Sequence, residues 1–149
     1  MSIGEFAKEI ENMEDRYLFK AKRADNGEWV TGYYTKSIVN GSVFGYIRES
    51  IFGTDIKIML NTLCQCTGLK DKNGNLIWEN DVVEIGEHED TVNGLYKVIY
   101  CENAHCYALK RSVDFHYNFF TFSDLNGFET SSKVIGNIFD NPELLESEG

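Results

Sequence analysis

From Tyr17 onward the apolar positions recur with a period of two. Tyr17, Phe19 and Ala21 alternate with Leu18, Lys20 and Lys22 until Asp25-Asn26-Gly27 interrupts them, and Trp29 to Tyr34 resumes the run. Two such runs joined across Asn-Gly predict a β-hairpin, because both residues accept the positive φ angles that a tight turn between twisted strands demands. Val39-Asn40-Gly41-Ser42-Val43 repeats the device and predicts a second hairpin between Lys36 and Glu49. Ile56 to Cys66 reads as one further strand, ending at Thr67-Gly68. A tight turn at Asp71-Lys72-Asn73-Gly74-Asn75 precedes the apolar Leu76, Ile77 and Trp78, and Asp81 to Ile85 is the next strand. Glu87 to Asn93 reads as an exposed acidic loop. Leu95 to Tyr100, Cys106 to Leu109 and Phe115 to Phe122 are three more short strands, and Val134 to Phe139 closes the set before Asn141-Pro142.

The first residues follow a different period. Ile3, Phe6, Ile10 and Met13 stand three and four apart, which predicts a short amphipathic helix over residues 3–15. Ser2 would cap it, with Glu5 completing a capping box. Strands and turns alternating about every ten residues, without intervening helices, point to a barrel or sandwich rather than a parallel α/β sheet. The expected fold is mainly β: short antiparallel strands in a barrel-like core, with a short N-terminal helix. An acidic turn before the valine-rich strand at Trp78 to Val83, followed by Tyr96 to Tyr100, gives that core an SH3-like cast. The expected organisation is a helix or arm at 1–16, a hairpin region at 17–60 and a barrel-like region at 61–149, the last two forming one unit.

Composition narrows the class. The 149 residues suit one ordinary domain, and 10 Phe, 8 Tyr and 2 Trp are ample for a core. No stretch approaches the ~20 continuous apolar residues of a membrane span. Met1 to Arg16 lacks the basic start and apolar run of a signal peptide, so a cytoplasmic protein with no membrane association is expected. Four cysteines, two of them one residue apart, do not resemble a secreted disulfide framework, and reduced thiols are expected. The net charge of -10 is uneven: residues 1–60 carry -1 and residues 61–149 carry -9. The second part should repel phosphate backbones, and it keeps the chain soluble.

Little in the chain converges on chemistry. Cys64, Cys66, Cys101 and Cys106 with His105 are the best metal candidates, since zinc takes four nitrogen or sulfur ligands, commonly as two short-spaced pairs. Their spacings depart from that pattern. Cysteine is also among the most buried residue types and packs as a small hydrophobe, so neither metal nor cofactor is expected. His88, His105 and His116 lie on separate segments, none beside a nucleophile and base. Cys106 neighbours His105, but adjacent strand residues face opposite ways. Asp114, Asp124 and Glu129 could be assembled into carboxylate pairs, as could many sets in so acidic a chain. No phosphate-binding glycine loop occurs. An enzyme is therefore not expected. In the aromatic run, Phe115, Tyr117 and Phe119 would share one strand face and His116, Asn118 and Phe120 the other. Core packing explains the first face, while Phe120 is left for an interface or for stacking on bases.

Three segments carry a resemblance to a known family. Tyr17 to Tyr34 resembles the opening hairpin of the YopX family. The more specific block is Gln65-Cys-Thr-Gly-Leu-Lys-Asp-Lys-Asn-Gly-Asn-Leu-Ile-Trp-Glu-Asn-Asp-Val-Val83, in which Thr67, Gly68, Leu69, Lys70, Asp71, Asn73, Gly74, Trp78 and Asp81 match the family run. Val134 to Leu145, with Gly136 and Asn137, is similar to the family's closing segment. Asn80 stands where the family often has glycine, and Glu84 to Lys133 follows no recognised pattern. The resemblance implies a phage- or prophage-encoded protein without an established activity, so it brings no catalytic residues.

The reading that follows is a non-catalytic phage accessory protein acting through protein contacts. It is expected to be a homo-oligomer, with a host or phage protein as a further partner. The alternative is a nucleic-acid-binding module using the locally basic hairpin: Arg16, Lys20, Lys22, Arg23 and Lys36, with Tyr33, Tyr34 and Phe120 as stacking rings.

Overall fold

The computed structural model describes residues 15–50, 52–86, 94–111, 119–121 and 131–146. The chain divides into two compact units, Met1–Gly68 and Leu69–Gly149. Its strands form two antiparallel sheets, one of order β4 (Ile56–Lys57), β3 (Ser42–Arg48), β2 (Trp29–Val39), β1 (Phe19–Lys22), β5 (Cys64–Lys70), β6 (Leu76–Trp78), the other of order β10 (Phe119–Thr121), β9 (Cys106–Arg111), β8 (Gly94–Cys101), β7 (Asp81–Ile85), β11 (Ser132–Asn137). Both sheets are open among the described residues, since no pairing joins β4 to β6 or β10 to β11. The barrel-like expectation is corrected accordingly to two open antiparallel sheets among the described residues.

In the first unit a single 3-10 turn at Asp15–Tyr17 leads into β1 (Phe19–Lys22). β1 pairs antiparallel with β2 (Trp29–Val39), Lys22 opposite Trp29 and Phe19 opposite Gly32, across the expected Asp25-Asn26-Gly27 turn. Two separate hairpins were expected from the two Asn-Gly signals. Instead β2 runs unbroken for 11 residues and serves both, pairing at its far end with β3 (Ser42–Arg48). The second turn has Asn40 at φ 51° and Gly41 at φ 82°, the pair of left-handed residues that a two-residue hairpin turn requires.

The strand expected from Ile56 to Cys66 is broken. Only Ile56–Lys57 (β4) pairs with β3, then a 3-10 turn at Leu60–Thr62 redirects the chain before β5 (Cys64–Lys70). Thr62 explains the break. Its Oγ1 donates to the Met59 carbonyl (2.6 Å) and accepts from the Lys22 amide (2.8 Å), so the local turn is tied to β1 by a side chain. Such side-chain bonds offer the backbone an alternative to the ladder.

The core of this unit follows the alternation. Ala21, Val30, Ile47 and Ile58 are buried on one face of the sheet, with Phe19, Tyr34, Ile56, Leu60 and Leu63 packed against them. Val30, Ile47 and Ile58, so buried, each contribute roughly 1.5–3 kcal/mol. Gly32 lies on this inner face, where an added Cβ would collide with the Arg48 carbonyl.

In the second unit the Asp71–Asn75 turn leads into β6 (Leu76–Trp78), and β7 (Asp81–Ile85) begins three residues later. Asn80, at φ 71°, adopts the left-handed conformation that glycine would adopt there. Asp81 Oδ2 accepts from the Trp78 amide (2.8 Å) and closes the turn. β7 lies between β8 (Gly94–Cys101) and β11 (Ser132–Asn137), and β8 continues to β9 (Cys106–Arg111) and β10 (Phe119–Thr121). A short helix, α1 (Glu143–Glu146), follows Asn141-Pro142. Ile77, Val83, Ile85, Tyr96, Val98 and Leu109 form the core, with Leu69, Tyr107 and Val134 against it.

The helix expected at residues 3–15 falls mostly outside the described residues, as does the acidic loop at Glu87–Asn93. Of the strand expected over Phe115–Phe122, Phe119–Thr121 is described as strand; the side chains of the run lie outside the description. No helix among the described residues is long and apolar enough to cross a membrane.

Candidate functional site

The residues of the family block are brought together as architecture. Asp71 is buried, and its carboxylate accepts four hydrogen bonds: Oδ1 from the amides of Asn73 (3.0 Å) and Asn75 (2.9 Å), Oδ2 from Asn75 Nδ2 (3.3 Å) and the Val134 amide (2.9 Å). The last of these ties the turn to β11, 63 residues away. Burial pushes the carboxyl up, but the hydrogen bonds from Val134, Asn75 and Asn73 outweigh it and hold Asp71 below the ordinary aspartate range. Leu69 and Trp78 pack inward, Lys70 points to solvent, and Thr67 is half-buried. Gly68 and Gly74 have φ of 80° and 81°. Gly136 allows the Asn141 side chain to come close, and Asn141 Oδ1 accepts from the Asn137 amide (3.3 Å). Asn137 Oδ1 in turn accepts from the amides of Phe139 and Asp140. These contacts shape turns.

The basic residues of the N-terminal hairpin are divided by the pleat. Register places Lys20, Lys22, Trp29, Thr31 and Tyr33 on the sheet face opposite the core. There the Lys20 ammonium lies 4.8 Å and the Lys22 ammonium 5.5 Å from the centre of the Trp29 ring. On the same face Lys57 lies 4.9 Å from the ring of Phe44, and Arg48 stands opposite Tyr33. Cations over aromatic faces are attracted by the ring quadrupole, by ~0.5–1 kcal/mol where exposed.

The other candidates are placed elsewhere. Tyr34 turns to the core side and packs on Phe19 with ring centres 5.5 Å apart. Lys36 sits further along β2 on that same side, exposed. Arg16 stacks on its neighbour Tyr17, 4.9 Å from the ring centre, and donates to the Tyr17 hydroxyl (3.0 Å). Arg23 forms a two-point pair with Asp25 (3.0 and 2.9 Å). The Arg23 hydrogen bond holds the Asp25 carboxyl below its ordinary range, and the same bond raises Arg23. Phe120 lies on β10, in the second unit. A shallow depression of about 390 Å³ lined by Arg23, Asp25, Asp55, Ile56 and Lys57 carries both charges, with Arg48 also paired to Asp55 (3.0 Å). Trp29, Phe44, Arg48 and Lys57 were missed as members of the basic face. Alternation alone would have put Trp29 beside Lys20 and Lys22, whereas Phe44, Arg48 and Lys57 needed the register of β3 and β4.

A second surface has no counterpart in the sequence reading. β1 accompanies β2 only as far as Gly32, and the β4 segment accompanies β3 as far as Gly45, whose carbonyl accepts from the Ile58 amide (3.1 Å). Beyond them Lys36–Phe44 continues as a two-stranded ribbon, paired only with itself among the described residues. Its tip exposes Ile38 (65%), Val39 (53%) and Val43 (48%), and Ile38 and Val43 are direct cross-strand neighbours.

The cysteines are distributed over both units. Cys64 and Cys66 are buried in β5, while Cys101 and Cys106 are half-buried on β8 and β9, and none of the four forms a disulfide. No group of three or more His, Cys, Asp or Glu side chains arranged to hold a metal occurs among the described residues.

The sequence matches the model of the YopX family, described as YopX protein, over residues 6–146. The structure is similar to the crystal structure of protein EF1440 from Enterococcus faecalis, with 24% identity and a TM-score of 0.49 over 86% of this chain and 96% of that one. It is also similar to the X-ray structure of protein yopX from Bacillus subtilis, with 13% identity and a TM-score of 0.54 over 87% and 98% of the two chains. The latter likeness is one of fold. No curated protein matches the sequence.

Proposed function

The chain belongs to the YopX family, and on that premise we propose that it is a phage or prophage accessory protein of the host cytoplasm that works as a non-catalytic interaction module. The observation that supports this reading is the ribbon Lys36–Phe44. Three large aliphatic side chains at a projecting tip, beside ladder edges unused among the described residues, form a surface suited to another strand. A second copy of this chain is the partner the ribbon fits best. Two antiparallel ribbons related by a two-fold axis would satisfy each other's edges and cover Ile38 and Val43 reciprocally. The family block supports the non-catalytic part of the reading, because its polar residues are engaged in turns.

Sedimentation equilibrium of the purified protein and of its Ile38→Asp variant tests the proposal. The native chain is expected to self-associate at micromolar concentrations and the variant to sediment as a monomer. A native chain that is monomeric throughout that range defeats the self-association reading.

The Trp29 face favours a second reading, as a nucleic-acid-binding module. Lys20 and Lys22 around an indole, with Tyr33 and Arg48 farther along, combine cations for phosphates with rings for bases, the elements of a single-strand platform. Against it stand the acidic second unit and the pairing of Arg23 and Arg48 with Asp25 and Asp55.

A further inference from the structure

We propose that Cys101 and Cys106 are a thiol–disulfide switch that closes the β8–β9 hairpin in response to a low-molecular-weight disulfide. The two residues form the last rung of the β8–β9 ladder, directly opposite each other. Opposed residues of an antiparallel pair have Cα atoms ~4.5 or ~5.5 Å apart, according to their place in the hydrogen-bond pattern. Both values lie within the ~4.4–6.8 Å that a disulfide spans.

The apposition is imposed by the core. Val98 opposite Leu109 is fully buried, Ile99 faces the buried Ala108, and Tyr100 and Tyr107 meet edge to face with ring centres 5.3 Å apart. A one-residue slip would turn every one of these side chains to the other face. The four-residue turn that follows is tight, with His105 at φ 53° and its amide bonded to the Glu102 carbonyl (3.3 Å). Register and turn together hold the two thiols side by side.

Access distinguishes this pair from the other cysteines. Cys101 and Cys106 are half-buried and lie at a turn, so a small reagent can reach them; Cys64 and Cys66 are buried within β5. The reaction needs an oxidant, which a small disulfide RSSR of the glutathione type supplies. The thiolate of one cysteine attacks a sulfur of RSSR, the S–S bond breaks, and one RS⁻ leaves and takes up a proton. The second cysteine's thiolate then attacks the protein-bound sulfur of the mixed disulfide and expels the second RS⁻. The two cysteines lose two electrons in total, RSSR gains them, and two RSH are released. In a reducing cytoplasm such a bond is transient and reports redox state rather than serving as a structural staple. When closed, it pins the turn beside the exposed Tyr100.

The reduced protein is titrated with glutathione disulfide and followed by intact-mass spectrometry and peptide mapping. The expected product has lost about 2 Da and yields one linked peptide pair joining Cys101 to Cys106, with Cys64 and Cys66 still alkylatable. Cys101→Ser and Cys106→Ser are each expected to stop at a stable glutathione adduct on the remaining thiol. Hydrogen exchange at the β8–β9 turn is expected to slow on closure and to recover on reduction. Adducts that accumulate on the native chain without ring closure, bonds between different molecules, or linkage through Cys64 or Cys66 would each overturn the proposal. The native chain alone decides the chemistry, so a variant that folds poorly does not rescue it.

Discussion

Replacing Asp71 removes the acceptor for four donors at once, and the structure sets the size of the effect. Asn73 and Asn75 are exposed, so their amides can turn to water when the carboxylate is lost. Val134, on β11, is half-buried, and its amide has less recourse. A hydrogen bond to a charged group is worth ~1.5–3 kcal/mol, and a buried donor left without a partner costs ~1–3 kcal/mol. Discounting the solvent-reachable donors, Asp71→Ala should cost about 3–4 kcal/mol, and Asp71→Asn, which keeps an acceptor at the Oδ1 position, about half of that. At ~2–4 °C per kcal/mol for a chain of this size, the alanine variant should melt ~6–16 °C lower. The chain has two tryptophans, one in each unit, so a Trp29→Phe background lets Trp78 fluorescence report the unit that holds Asp71.

The pH dependence gives a second handle on the same residue. The folded carboxyl lies below its unfolded value, so its contribution is fully present above the ordinary aspartate range, about 3.9, and is lost as pH falls through the depressed folded value. The stability gap between the native chain and Asp71→Asn should therefore be widest near neutrality and close in acid. An alanine variant with an unchanged melting temperature, or a gap that stays constant into strong acid, refutes the assignment.

Other consequences follow from the first unit. Gly32→Ala should destabilise its sheet by several kcal/mol, on the order of an overpacked core site, because the obstacle is the Arg48 carbonyl and not a side chain that can move; urea unfolding followed by Trp29 fluorescence reads this directly. If the Trp29 face binds single-stranded DNA, affinity should fall with salt at a logarithmic slope of about -0.7 per phosphate contact. Substituting Lys20 and Lys22 with Gln should then flatten that slope by about 1.4, and binding that ignores both substitutions removes this reading.

How much of this was legible in the sequence depended on whether the cause was local. Asn40-Gly41 and Asp25-Asn26-Gly27 specify their own turns, and the alternation around Ala21 and Val30 identifies the buried face without any partner strand. The family block was legible for the same reason: Asp71, Asn73, Gly74 and Asn75 build one turn among themselves. What escaped the sequence was long-range. Nothing near Leu60 announces that Thr62 will bond the Lys22 amide forty residues earlier and break a strand whose apolar residues otherwise run on. The same holds for Val134, whose amide finishes the coordination of Asp71, and for the open sheets, because closure depends on which strand edges meet. The basic face illustrates both cases. Lys20, Lys22 and Tyr33 share a face by parity alone, but parity equally sends Tyr34 and Lys36 to the other side. The ribbon went unseen because its exposure depends on where β1 and β4 stop.

The claim that the ribbon is an interface between copies is tested most directly by hydrogen exchange of residues 36–44 at dilute and at concentrated protein. Edge pairing between copies predicts that the outward amides of the ribbon become protected as concentration rises, and that Ile38→Asp abolishes the change. Exchange that is identical at both concentrations, in a protein whose other strands remain protected, would contradict it.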